Sequence, residues 1–114
     1  MAKITFGWRV PDFPEGGATS AEWREQILHY TGVLEAGGLD SIWVGDHFFP
    51  WPGELDQSLD TIEAWTTLTF LLARYPRLRG GSIVLSQGYR HPAVLAKMAA
   101  NLQWLSGGRF VWSV

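Results

Sequence analysis

Two side chains able to do chemistry stand side by side in Ser41-Ile-Trp-Val-Gly-Asp46-His47-Phe-Phe-Pro-Trp51. A short apolar run, Ile42 to Val44, stops at Gly45 and delivers a carboxylate and an imidazole among aromatic rings. Such a lining suits a flat ligand with polar edges. Taken by itself, Asp46 is also the kind of turn-forming residue that caps a strand end. His47 can exchange a proton near neutral pH, so it is a side chain able to do chemistry here. The alternative is a hydrogen-bonded structural histidine. Ser86 and Gln87 end another apolar run and are candidates to reach the same ligand, while Trp8 and Trp51 are the rings expected on its substrate side. Arg90 reads as a solvated loop arginine. His29 falls on a helix surface and His91 beside a helix start, so the three histidines are too dispersed for a metal site.

The elements that must position these residues follow from periodicity. Ile4, Phe6 and Trp8 alternate with Thr5, Gly7 and Arg9, which predicts a first strand over 4–10. Thr19-Ser-Ala-Glu22 is a capping-box pattern; Trp23, Ile27, Tyr30 and Leu34 then recur at helical spacing until Gly37-Gly38. Leu39–Val44 is the second strand. Asp60-Thr-Ile-Glu63 predicts another helix start, with Ile62, Trp65, Leu68 and Leu72 on its apolar face and Pro76 beyond its end. Ser82–Ser86, centred on Ile83-Val84-Leu85, is the third strand. Pro92 opens a third helix carrying Val94, Leu95, Met98, Ala99 and Leu102, and Arg109–Val114 is the fourth strand. The order β-α-β-α-β-α-β with apolar strands implies an α/β fold on a parallel sheet. Two architectures fit: a small open sheet, or half of a (βα)8 barrel. The first strand-to-helix turn lacks G-x-G-x-x-G, which counts against a dinucleotide-binding open sheet.

Bulk composition narrows the function classes. The chain has 114 residues, 46% hydrophobic and 18% charged, with a formal net charge of −2 and no cysteine. Disulfides, thiolate catalysis and zinc–thiolate centres are therefore excluded. The charge balance and the lack of a basic patch argue against nucleic acid and against an anionic membrane surface. The N-terminus has no signal-peptide pattern and no apolar run reaches spanning length, so the expected location is cytoplasmic.

Gly45-Asp-His-Phe-Phe-Pro-Trp51 resembles the bacterial-luciferase-like family of flavin- or deazaflavin-dependent oxidoreductases. The resemblance continues through Ile62-Glu-Ala-Trp-Thr-Thr-Leu, Tyr89-Arg-His-Pro-Ala-Val-Leu-Ala-Lys-Met-Ala-Ala100 and Leu105-Ser-Gly-Gly-Arg-Phe110. These blocks imply the N-terminal half of a (βα)8 TIM barrel over 1–114. They also imply a hydride exchange between a small organic substrate and the deazaflavin coenzyme F-420, with FMN and oxygen chemistry as the alternative. By the same resemblance Asp46 would bind the ring edge and His47 would be the catalytic residue, a general acid or base on the substrate side. Ser82-Ile83 would be the position of a non-proline cis peptide behind the coenzyme ring. Arg79-Gly-Gly81, where the family carries a bulky apolar residue, implies a loosely held start to the third strand. The chain lacks the later strands whose loops bind phosphate in such barrels, so it is expected to be weakly active or inactive alone. Its outer strands would be bare edges, which implies a homo-oligomer.

Overall fold

The computed structural model describes residues 4–50 and 60–114. Four parallel strands, β1 (Gly7–Arg9), β2 (Ser41–Val44), β3 (Arg79–Ser82) and β4 (Phe110–Val111), lie in the order β1-β2-β3-β4. They alternate with α1 (Ser20–Ala36), α2 (Ala64–Arg74) and α3 (Pro92–Leu105). This is the α/β arrangement of the first half of a (βα)8 barrel.

Each helix begins where a side chain can satisfy its first amides. Thr19 and Glu22 form a reciprocal capping box on α1, which ends at Gly37 with Gly38 at φ +88°. The start of α2 is set by Glu63, whose carboxylate accepts from the Trp65 and Thr66 amides, and not by Asp60. Asp60 instead accepts a hydrogen bond from the Ser20 hydroxyl at 2.8 Å, tying the approach to α2 onto α1. For α3 the cap is His91 itself: its Nδ1 accepts from the Ala93 amide, and Pro92 occupies the first turn.

The helices cover one face of the sheet. Val10, Ile42, Val44 and Phe110 point into a core with Trp23, Ile27, Leu68, Leu71, Leu72 and Leu102. Each fully buried leucine there contributes about 1.5–3 kcal/mol. On β2 the burial alternates along the strand, with Ile42 and Val44 buried and Ser41 and Trp43 only half-buried. Ser41 and Trp43 belong to the opposite, concave face, where the Trp43 indole donates to the Ser41 hydroxyl at 3.0 Å.

The third strand lies earlier than the apolar run suggests. It is Arg79-Gly-Gly-Ser82, pairing Ile42 with Gly80 and Trp43 with Gly81. Gly80 and Gly81 are buried and tightly enclosed, so the start of this strand is firmly held. A Cβ on Gly80 would lie 2.7 Å from Leu68 Cδ1, and one on Gly81 would lie 2.6 Å from the Val111 carbonyl oxygen. Neighbouring side chains fill the space that glycine leaves, which is why a residue pair with no apolar side chain is central to the sheet. The non-proline cis peptide joins Ile83 to Val84, one residue beyond the Ser82-Ile83 position. Ile83 N–H still donates to the Val44 carbonyl at 2.8 Å, so the Ser82-Ile83 peptide belongs to the ladder and the chain turns only after it.

Candidate functional site

The tips of β2 and β3 and the connector into α3 converge on Asp46. This residue is 5% exposed overall, and the Ser86 amide donates to its Oδ2 at 2.9 Å. Arg90 forks onto it, with Nη1 to Oδ2 at 2.7 Å and Nη2 to Oδ1 at 3.0 Å. Arg90 Nη2 also donates to Glu63 Oε1, the carboxylate that caps α2. The arginine expected to be solvated is therefore largely enclosed, its side chain 12% exposed. The hydrogen bonds to Asp46, and then to Glu63, outweigh burial and hold the guanidinium even more firmly charged than usual. Burial pushes Glu63 upward, but the hydrogen bonds it accepts from Thr66, Trp65 and Arg90 outweigh this and leave its carboxyl below the ordinary glutamate value.

A second clamp steadies the same tip from the other side. Asp12, 3% exposed, accepts from Arg9 and from the Gly45 amide, the latter at 3.2 Å. No side chain fits at Gly45, since a Cβ there would stand 2.5 Å from the Asp12 carboxylate. Phe48 stacks on Tyr89 with centroids 4.0 Å apart and planes 16° from parallel. His47 is half-buried between these two anchored neighbours. Ile83 and Val84 are about half exposed at the β3 tip, an apolar plate beside the polar cluster.

The expected site residues divide accordingly. Asp46, His47, Ile83 and Ser86 come together at the strand tips, Ser86 through its backbone amide. Ser82 does not present its side chain, because it is fully buried with its hydroxyl donating to the Ser113 carbonyl at 3.2 Å. Trp8 lies on the helix side, packed against the core and edge-on to Tyr30 of α1 at 6.4 Å, because it shares the parity of Val10. The concave-face tryptophan is Trp43. Trp51 lies outside the described residues. Sequence reasoning missed Arg90, Glu63 and Asp12 as parts of the site, since nothing local marks an arginine whose partners are 44 and 27 positions away. Among the described residues, no helix is long and apolar enough to cross a membrane, and no three acidic or histidine side chains cluster to hold a metal.

Comparison with known proteins agrees with this fold. An F420-dependent glucose-6-phosphate dehydrogenase of Amycolatopsis mediterranei (strain U-32) is 36% identical over 89 residues, covering 77% of this chain and 26% of that protein. Glucose-6-phosphate dehydrogenase 1 of Rhodococcus jostii (strain RHA1), also F420-dependent, is 35% identical over 97% of the chain and 30% of its own length. The 4-hydroxyprotoasukamycin monooxygenase of Streptomyces nodosus subsp. asukaensis is 31% identical over the whole chain and 29% of its own length. The chain thus spans less than a third of these relatives. In fold it is similar to an F420-dependent secondary alcohol dehydrogenase solved with an F420-acetone adduct, at a TM-score of 0.77 and 21% identity over 97% of this chain and 31% of that one. The model of the luciferase-like monooxygenase family matches residues 4–114, and the chain belongs to that family.

Proposed function

We propose that these residues form the coenzyme-facing N-terminal part of an oxidoreductase that uses F420 on a small organic substrate. The observation carrying this reading is the strand-tip cluster, in which the buried Asp46–Arg90 pair holds the β2 tip that bears His47, next to the β3 end with its half-exposed Ile83 and Val84. The cluster fits such a coenzyme in kind: an apolar surface for a flat ring, with polar side chains at one border. Relatives at 35–36% identity named as F420-dependent support the deazaflavin over FMN. When bound, F420 gives or takes a hydride at its ring. Ile83 and Val84 would support the ring face and exclude water from it. His47 would hold or release the proton on the substrate oxygen, within hydrogen-bond reach of that atom. Asp46, whose two oxygens are already engaged, would keep the tip in place.

Phosphate-binding loops in such barrels follow strands seven and eight, which lie outside these 114 residues. Turnover by this chain alone is therefore expected to be weak or absent. Titration with F420, followed by quenching of deazaflavin fluorescence, tests the reading. Saturable quenching by the wild type, reduced by His47→Ala and not reproduced with FMN, is expected. No quenching and no thermal shift, at coenzyme concentrations that saturate a longer relative, would remove the basis for it. Saturation with FMN instead would move the chain to the oxygen-activating branch.

Assembly is a second reading, and the sheet edges favour it. Among the described residues, β1 and β4 each pair on one side only, and Ile4, Phe6, Trp112 and Val114 are exposed on or beside those edges. Bare edges with apolar flanks promote pairing with another chain. Two copies would supply the eight strands of a closed barrel. Light scattering is expected to report a dimer; a monomer at high concentration would refute it.

A further inference from the structure

We propose that Arg90 is the positioning residue of this site, holding the Asp46–His47 tip in register with the connector into α3. The inference rests on the coenzyme-facing reading above and goes beyond it by taking Asp46 out of ligand contact. Three segments that enter or leave the sheet meet at one guanidinium: the β2 tip through Asp46, the α2 cap through Glu63, and the β3–α3 connector through Arg90 itself. The Asp46 side chain is 1% exposed and that of Arg90 12%. Such a pair is costly to desolvate and would be replaceable by apolar packing if stability were its only role; fixing one geometry is the better-attested use of a buried ion pair.

The neighbouring contact sharpens the argument. Asp46 reaches Arg90, while Phe48 stacks on Tyr89, so contacts from both sides of His47 land on adjacent connector residues. His47 is thereby fixed at its backbone from both directions, and a shift of the connector would move it. With Oδ1 and Oδ2 taken by Arg90 and the Ser86 amide, Asp46 acts through the fold. The fork matters as well as the charge. Lysine carries the charge as a single point and cannot bridge both Asp46 oxygens and Glu63 in one plane.

The test uses Arg90→Lys, with Glu63→Gln as a milder second variant that keeps a cap acceptor. Three readouts are compared with wild type: the F420 quenching titration, exchange of the Ser86 amide, and the His47 ring resonances by NMR. Arg90→Lys is expected to remain folded, to bind F420 about tenfold more weakly, to exchange Ser86 faster and to shift the His47 signals. Glu63→Gln should move the same signals in the same direction by less. Wild-type affinity, Ser86 exchange and His47 shifts in folded Arg90→Lys would overturn the proposal. If Arg90→Lys does not fold, unchanged signals in Glu63→Gln would overturn it equally. If wild type binds neither F420 nor FMN, the functional reading fails separately, and the amide exchange and His47 resonances alone decide whether Arg90 positions the tip.

Discussion

Replacing each of three glycines with alanine separates positions where the missing side chain is structural from one where it is incidental. At Gly81 a Cβ would stand 2.6 Å from the Val111 carbonyl oxygen and 2.9 Å from Trp43 Cζ3. The first obstacle is backbone, so relief requires β4 to move, and β4 is only two residues long. At Gly80 the obstacles are side-chain ends, Leu68 Cδ1 at 2.7 Å, Leu72 Cδ2 at 3.1 Å and Ile42 Cγ1 at 3.2 Å, but all three residues are fully buried and have little room to retreat. Overpacking of this kind costs about 1–3 kcal/mol. Against it stands about 0.4–1 kcal/mol gained from a stiffer unfolded chain. The net expectation is a loss of about 2 kcal/mol for Gly81→Ala and about 1 kcal/mol for Gly80→Ala. Gly88 has nothing within 4 Å and no positive φ, so Gly88→Ala should be neutral or stabilise by up to about 1 kcal/mol. Urea unfolding, read from midpoints at constant slope, supplies the three values. Amide exchange should show the Gly81→Ala loss concentrated in β4. If Gly81→Ala unfolds at the same midpoint as Gly88→Ala, the close strand contact is not what holds β3, and the reasoning fails.

Arg109 donates to the Leu72, Leu78 and Ser106 carbonyls at 2.7–2.8 Å and to that of Tyr75 at 3.3 Å, gathering the C-terminal ends of α2 and α3. Arg109→Lys keeps the charge but loses most of these bonds, and chemical denaturation should show a loss of about 2–4 kcal/mol. The lowered Glu63 carboxyl makes a signed prediction about pH. Its contribution to stability is fully present above the unfolded value of 4.5 and is lost as pH falls through the lower folded value. Glu63→Gln should therefore be less stable than wild type at neutral pH, with the difference closing in acid-titrated melts below about pH 4.5. Glu22 is displaced in the same direction, chiefly by the Thr19 backbone hydrogen bond, so some acid sensitivity should survive in that variant.

The order of elements was legible because helix ends are written locally. The Thr19–Glu22 box, Gly37-Gly38 and Pro92 each carry their reason within a few residues. Strand position was less legible, since the rule that apolar runs are strands assumes that a strand brings its own packing. In β3 the packing comes from Leu68, Leu72, Ile42 and Trp43, and the apolar Ile83 and Val84 fall beyond the ladder with half their surface open. Trp8 was recoverable: the alternation that marks the first strand groups it with Ile4, Phe6 and Val10, and the buried Val10 fixes that parity on the helix side.

The ion cluster is a different kind of problem. Asp46 and Glu63 stand at the two ends of the β2–α2 connection and Arg90 in the next one, between β3 and α3, and no periodicity relates residues 44 and 27 positions apart. Yet each occupies the same kind of place, a charged residue where the chain passes between strand and helix: Asp46 just beyond β2, Glu63 as the cap of α2, Arg90 immediately before the His91 cap of α3. In a parallel β/α fold those crossings share one end of the sheet. Opposite charges at successive crossings are thereby brought near one another whatever their separation in sequence. What sequence alone withholds is whether they meet in water or in a buried fork, and that depends on how closely the tips of β2 and β3 draw the connectors together.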